Sequence, residues 1–214
     1  MEAIEQVALA AGLSWASGIR LYAALFFAGG LARLGVFELP GSLHVLEHPY
    51  VLAAAGFMLA AEFVADKIPG FDSFWDAAHT FIRIPAGALL AAGALGNMDP
   101  GVIAAAAVLG GAIASGTHAT KAGSRALINT SPEPFSNWTA SIAEDVAVPL
   151  GLLAAIKWPI LFLVLLLVFL ILAIWLLPKL WRGLRWMFAR LRGAPPEDPM
   201  PLSGTRDARK LSRP

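Results

Sequence analysis

The sequence predicts an all-α, polytopic membrane bundle, on three observations. Of 214 residues 57% are hydrophobic and 14% charged, against about 25% charged in soluble domains. The apolar residues gather into segments near the roughly 20 residues a helix needs to cross a bilayer. Charge is also divided along the chain. Residues 1–178 hold 7 Lys/Arg and 12 Asp/Glu, whereas residues 179–214 hold 9 and 3. The domain boundaries follow: a transmembrane domain over 1–178, a basic interfacial helix over 179–193 and a disordered tail over 194–214.

Six spans are expected, at about Val7 to Leu34, Tyr50 to Ala65, Asp76 to Leu95, Gly101 to Arg125, Thr139 to Ile156 and Trp158 to Leu177. The last two are split at Lys157-Trp158-Pro159, because a single helix from Thr139 to Leu177 would be about 58 Å long, nearly twice the hydrocarbon thickness. Glu2 and Glu5 precede the first run. It therefore lacks the positive start of a signal peptide and is expected to remain in the mature protein. The basic tail is expected inside, as Lys and Arg favour the cytoplasmic side. With six spans the N-terminus is then cytoplasmic too, in a bacterial inner membrane. The loop around Glu38, His44, Glu47 and His48, free of Lys and Arg, lies outside.

Within the fourth segment, His118, Lys121 and Arg125 fall at roughly 0°, −60° and −20° around a helix, so they form one stripe, continued by Gly111, Ala114 and Ser115. A Lys or Arg at mid-membrane costs about 2.5 to 3.5 kcal/mol against lipid. The stripe must therefore face protein or water. In the six-span topology it shares the inner half of the membrane with Asp66, Glu144 and Asp145. Arg20, deep in the first span, has no capping role to explain it.

Several other features have a structural reading. Ser73 to Asp76 and Ser141 to Glu144 both have capping-box spacing. Asp99-Pro100 reads as an N-cap and first helical residue. Asp76, His79 and Arg83 lie at i, i+3 and i+7, which would turn a second polar face inward. Pro69, Trp75, Pro85 and Ala91-Ala92 are echoed by Pro132, Trp138, Pro149 and Ala154-Ala155, the pattern of a parallel two-helix repeat. Pro85 and Pro149 lie inside spans, where each removes a backbone hydrogen bond and breaks the helix.

His44 to His48 matches H-x-x-E-H, but Pro40-Gly41 and Pro49 leave little room for the helix that motif needs. Zero cysteines exclude disulfides and thiolate metal sites. No phosphate loop or nucleophile elbow occurs, and no motif specifies a cofactor. The Trp- and Arg-rich run from Leu180 to Leu191 suits anionic lipid headgroups rather than nucleic acid.

Four stretches carry a family resemblance. They are Ala16-Ser17-Gly18-Ile19-Arg20; Glu62 with Ala65-Asp66-Lys67-Ile68-Pro69-Gly70 and Asp72; Gly110-Gly111 with His118, Lys121, Gly123 and Arg125; and Ser141 with Glu144-Asp145. Over Gly12 to Ile156 the chain resembles the bacterial membrane proteins grouped as domain of unknown function 4126. The resemblance implies a polytopic helical fold with these polar residues as its shared core, and no activity.

The candidate site is Arg20, Glu62, Asp66, His118, Lys121, Arg125, Glu144 and Asp145. It fits a transporter or channel for a small ion or solute, since charges of both signs on Pro-interrupted spans mark solute or proton pathways. The cationic stripe, with His118 titrating near neutral pH, would engage an anion or a proton-coupled solute. A membrane enzyme acting on a lipid or polyprenyl head group is the second class, with Asp66, His118, Glu144 and Asp145 as metal or acid–base candidates. A scaffold held together by the same charges as ion pairs is the third. A homo-oligomer is compatible with all three.

Overall fold

The computed structural model describes residues 2–68, 71–129 and 134–191. Pro69-Gly70, Pro132 and the tail from residue 192 lie outside the described residues. The described residues form six α-helices and one short 3₁₀ helix, Gly41–Glu47. The α-helices are α1 (Ala3–Arg33), α2 (Pro49–Ala65), α3 (Phe71–Ala94), α4 (Pro100–Ile128), α5 (Pro134–Lys157) and α6 (Pro159–Leu191).

Four of the six start on proline, whose missing N–H is no loss in the first turn and whose fixed φ suits a helix. Asp99 caps α4 as expected, accepting from the Gly101 amide at 2.7 Å. Trp158 separates α5 from α6, as the split at Lys157 requires. By length and composition α1, α4, α5 and α6 can each cross a membrane, and the 3₁₀ helix with α2 adds a bent pair.

The first helix does not run straight. At Arg20 the backbone leaves helical geometry for φ −146°, ψ 91°. A straight helix of 31 residues would hold its ends about 46 Å apart. Yet Glu5 and Leu9, near its start, line one cavity of about 310 Å³ together with Val36, Phe37 and Glu38, which follow its end. Phe37 also packs into the core cluster that holds Leu9 and Ala10. The two halves, residues 3–19 and 21–33, therefore fold back on each other with Arg20 at the tip.

Side-chain pairings trace both arms. Going down, Gly12 lies against Ala155, Trp15 against Gly151 and Ser17 against Arg83. Coming back, Tyr22 meets His79, Phe26 meets Gly56 and Gly29 meets Leu46 and Leu52. The returning arm ends in a Schellman turn: Gly35, at φ 73°, donates to Ala32 O and Val36 donates to Leu31 O. Only glycine takes that left-handed angle without penalty.

The first segment is thus a hairpin rather than the straight crossing expected from Val7 to Leu34. The remaining helices alternate between the two ends of the bundle. α2 descends to Asp66 beside Arg20, and α3 returns from Asp72 to Gly93 under the 3₁₀ helix. α4 descends to Arg125, α5 climbs to Lys157 beside Glu5, and α6 descends so that Leu180 covers Gly123. The hairpins α2–α3 and α4–α5 run in the same sense. The start of α1 and the end of α6 fall at opposite ends of the bundle.

Two expected helix breaks fall elsewhere. α3 and α5 run on through Pro85 and Pro149 as continuous helices, and the departure from helical geometry is at Arg20. Likewise α6 passes Pro178 without ending, reaching Leu191. Its 33 residues span about 50 Å, so its basic last turns extend past the length a bilayer needs. The core is built of small residues. Gly18 sits so close to α4 that a Cβ there would lie 2.5 Å from the Ala114 carbonyl oxygen and 2.7 Å from Thr117. That proximity seats the hairpin tip against the polar stretch of α4.

Candidate functional site

At that tip lies a buried ion network formed by α1 to α5. Arg20 Nη2 pairs with Asp66 Oδ2 and donates to Ser141 Oγ at 2.8 Å. Its Nη1 lies 3.2 Å from Asp145 Oδ1 and its Nε 3.6 Å from Glu144 Oε2. Arg83 pairs with Glu62 Oε1 and, at 2.6 Å, with Asp76 Oδ1. Arg125 grips Glu144 with two bonds, Nε to Oε1 at 3.1 Å and Nη2 to Oε2 at 3.0 Å. This fork geometry is the strongest form of an arginine–carboxylate pair. Lys121 stands between these groups, 3.2 Å from Glu144, 3.4 Å from Asp76 and 3.8 Å from Glu62.

Four cations thus face five carboxylates, Glu62, Asp66, Asp76, Glu144 and Asp145, among the described residues. With all of them ionised the network carries one negative charge in excess. Several of its atoms have no hydrogen-bond partner among the described residues: the carboxylate oxygens Glu62 Oε2, Asp66 Oδ1, Asp76 Oδ2 and Asp145 Oδ2, and the guanidinium nitrogens Arg20 Nε, Arg20 Nη1 and Arg83 Nε. A buried acceptor without a donor is costly. The network is closed around Arg20 and Arg83, both 0% exposed, and opens on α5, where the Asp145 side chain is 24% exposed and Glu144 16%.

His118 lies between α3 and α4, with Nε2 2.7 Å from Thr80 Oγ1 and Nδ1 3.3 Å from Arg83 Nη1. A second histidine, His79, holds Trp75 O at 2.8 Å through Nδ1, which makes that nitrogen the donor, and Nε2 then sits 3.1 Å from the Tyr22 hydroxyl. Below the network, Asn137 bridges Arg125 to Asp72, and Asn129 donates to both Asp72 oxygens at 2.8 Å. These amides tie the end of α4 to the starts of α3 and α5. At the rim, burial pulls the Lys67 ammonium below the ordinary lysine value, and the Asp145 carboxylate opposes this.

All eight residues proposed from the sequence enter this network or touch it. The cationic stripe is not an open donor face, however, because Lys121 and Arg125 are already bonded to carboxylates. Asp76 is not a helix cap but a partner of Arg83 and Lys121, and Ser141, well inside α5, bonds Arg20 rather than an amide. Arg83 and Asp76 belong in the network although the candidate set left them out. Their i, i+7 spacing on α3 was the signal.

The metal candidates do not assemble: among the described residues no three His, Asp or Glu side chains are placed to hold a metal ion. Asp66, Glu144 and Asp145 are each matched to guanidinium or ammonium groups instead. The His44–Glu47 contact, 2.7 Å and exposed, is a lone pair at the far end of the bundle.

A family model described as Domain of unknown function (DUF4126) matches residues 7–179. The match extends beyond the Gly12 to Ile156 stretch of the resemblance and takes in α6 as far as Lys179. No curated protein and no solved structure matches the chain.

Proposed function

The chain belongs to the family of Domain of unknown function (DUF4126), and from that premise we propose that it is a multi-pass membrane transporter in which protons or small cations move through the network at the α1 tip. One observation carries the reading: a helix folded back at Arg20 brings five carboxylates and four cations together inside an apolar bundle. Ionisable groups buried at membrane depth are costly and mark ion pathways. Discontinuous helices whose ends meet beside them are the usual way such sites are built. Because Lys121 and Arg125 already hold carboxylates, the stripe is not free to engage an anion, and the uncommitted carboxylate oxygens are the groups that can exchange a proton or meet a small cation. The exposed edge at Asp145 supplies an entry on one side.

In this reading α2 to α6 make five crossings and α1 is a re-entrant hairpin. The basic end of α6, with Lys179, Arg182 and Arg185, faces the cytoplasm of a bacterial cell and anionic lipid there. The network then occupies the cytoplasmic half, as the sequence suggests, but the N-terminus lies outside. A reporter fused at Met1 should be periplasmic and one fused after Pro214 cytoplasmic. Two cytoplasmic termini would sink the re-entrant assignment and restore six crossings.

Transport itself is tested in liposomes. Purified protein should carry protons inward when a potassium diffusion potential is imposed, read by an internal pH dye, or move one member of a panel of cations and solutes against a pH gradient. Asp145→Asn, at the exposed edge, should fold normally and slow the flux about tenfold. Folded wild-type protein that moves neither protons nor any panel member would leave the network as a structural staple and the protein as a membrane scaffold.

A further inference from the structure

The end of the bundle away from the network holds a cavity that the transport reading does not use. It has a volume of about 310 Å³ and lies between the start of α1, the segment that follows the Gly35 turn and the end of α5. Three chain segments stop or turn here, so their side chains meet around a gap. Leu9, Val36, Phe37 and Ile156 give it an apolar wall. One and two turns further along α1 and α5, Leu13, Val148 and Leu152 are 0% exposed and close the cavity towards the network. From Glu5 to Arg20 is about 22 Å of helix.

Charges of both signs share this lining, Lys157 on α5 with Glu5 and Glu38. Glu5 uses one oxygen to accept from the Glu2 amide at 3.0 Å. Among the described residues neither Glu38 nor Lys157 has an ion pair or a side-chain hydrogen bond. We propose that the cavity binds a small zwitterion, its acid group facing Lys157, its ammonium facing Glu5 and Glu38, and its apolar body against Leu9 and Phe37. A free apolar amino acid and the head of an aminophospholipid share that chemistry, since each carries a primary ammonium a few bonds from an acid group.

Size and charge both select this class. At the roughly 30 Å³ that a water occupies in the liquid, the cavity holds about ten waters, which puts it at the small end of ligand pockets, about 300 to 1,000 Å³. Such pockets are mostly apolar with a few placed polar groups, as here. A simple anion would meet the two carboxylates, and a simple cation would meet Lys157. An uncharged apolar molecule would take water from three charges and return nothing. Only a ligand carrying both signs answers all three while its body covers the apolar wall. Binding here requires no movement of ions through the network, so the inference goes beyond the transport reading and does not rest on it.

The test is the melting temperature of the full chain, purified in detergent and stripped of lipid, against increasing concentrations of two zwitterions, leucine and dioctanoyl phosphatidylethanolamine. Isoamylamine, isocaproate and dioctanoyl phosphatidylglycerol, each with one charge only, are the references. Leucine, the ethanolamine lipid or both should raise the melting temperature to a plateau about 5 °C higher, the size expected for a ligand well above its Kd, and which of them does so identifies the source. The three references should leave it unchanged. Glu38→Gln and Lys157→Gln replace exposed side chains without partners, so both variants should fold, and each should lose most of the shift. No shift with either zwitterion, an equal shift with a reference, or a full shift in both variants overturns the inference. Because no flux is measured, that failure would leave the transport reading standing.

Discussion

Arg20→Met is expected to yield almost no folded protein. Arg20 is fully buried and faces Asp66, Glu144 and Asp145. Glu144 keeps Lys121 and Arg125 as partners, and Asp145 reaches the surface, but Asp66 retains only the Arg125 contact at 3.6 Å. Stranding a buried charge in this way costs about 3 to 5 kcal/mol, a large part of a total stability of roughly 5 to 15 kcal/mol. The remedy follows from the same argument: Arg20→Met with Asp66→Asn removes the stranded charge and should recover most of the monodisperse protein on size exclusion. A single variant that folds and melts like wild type would show that Arg20 is not the pivot of the network.

The α1 hairpin also marks where the sequence could be read and where it could not. The helices themselves were legible, because apolar runs, proline at four N-termini and the Lys157-Trp158-Pro159 interruption are local signals. Arg20 was legible as a residue needing a partner, and its partners Asp66, Glu144 and Asp145 were within the candidate set. The fold-back was not, since no proline or glycine occupies position 20 and the tip is held by contacts far along the chain. Length was the remaining cue: Val7 to Leu34 would make about 42 Å of helix, more than one crossing uses. Arg83 and Asp76 were obscured for a different reason. The start of α3 offered a capping box, and a local hydrogen-bond explanation for Asp76 hid a long-range one. The closure of the cationic stripe is not legible in the sequence, because periodicity tells which side of a helix is polar but not how many carboxylates cover it.

Whether the network conducts or merely fastens the bundle is decided by a variant that removes charge in balance. Arg83→Met alone should be severely destabilised, since Glu62 is fully buried and would keep only Lys121 at 3.8 Å. Arg83→Met with Glu62→Gln removes one charge of each sign. Asp76 keeps Lys121 at 3.4 Å, and the Ser17 hydroxyl still donates to the Arg83 backbone carbonyl. Replacing a buried pair by neutral groups of similar volume is often harmless to stability, so the double variant should insert, fold and melt within about 5 °C of wild type. Its flux in liposomes should nevertheless fall at least tenfold, about 1.4 kcal/mol or more in the barrier, because Glu62 is then no longer able to carry a proton or ligate a cation. A folded double variant with full flux would place the pathway elsewhere. One that neither folds nor is rescued by balancing the charge would mean that the Arg83 fork geometry, rather than its charge, holds α2 to α3.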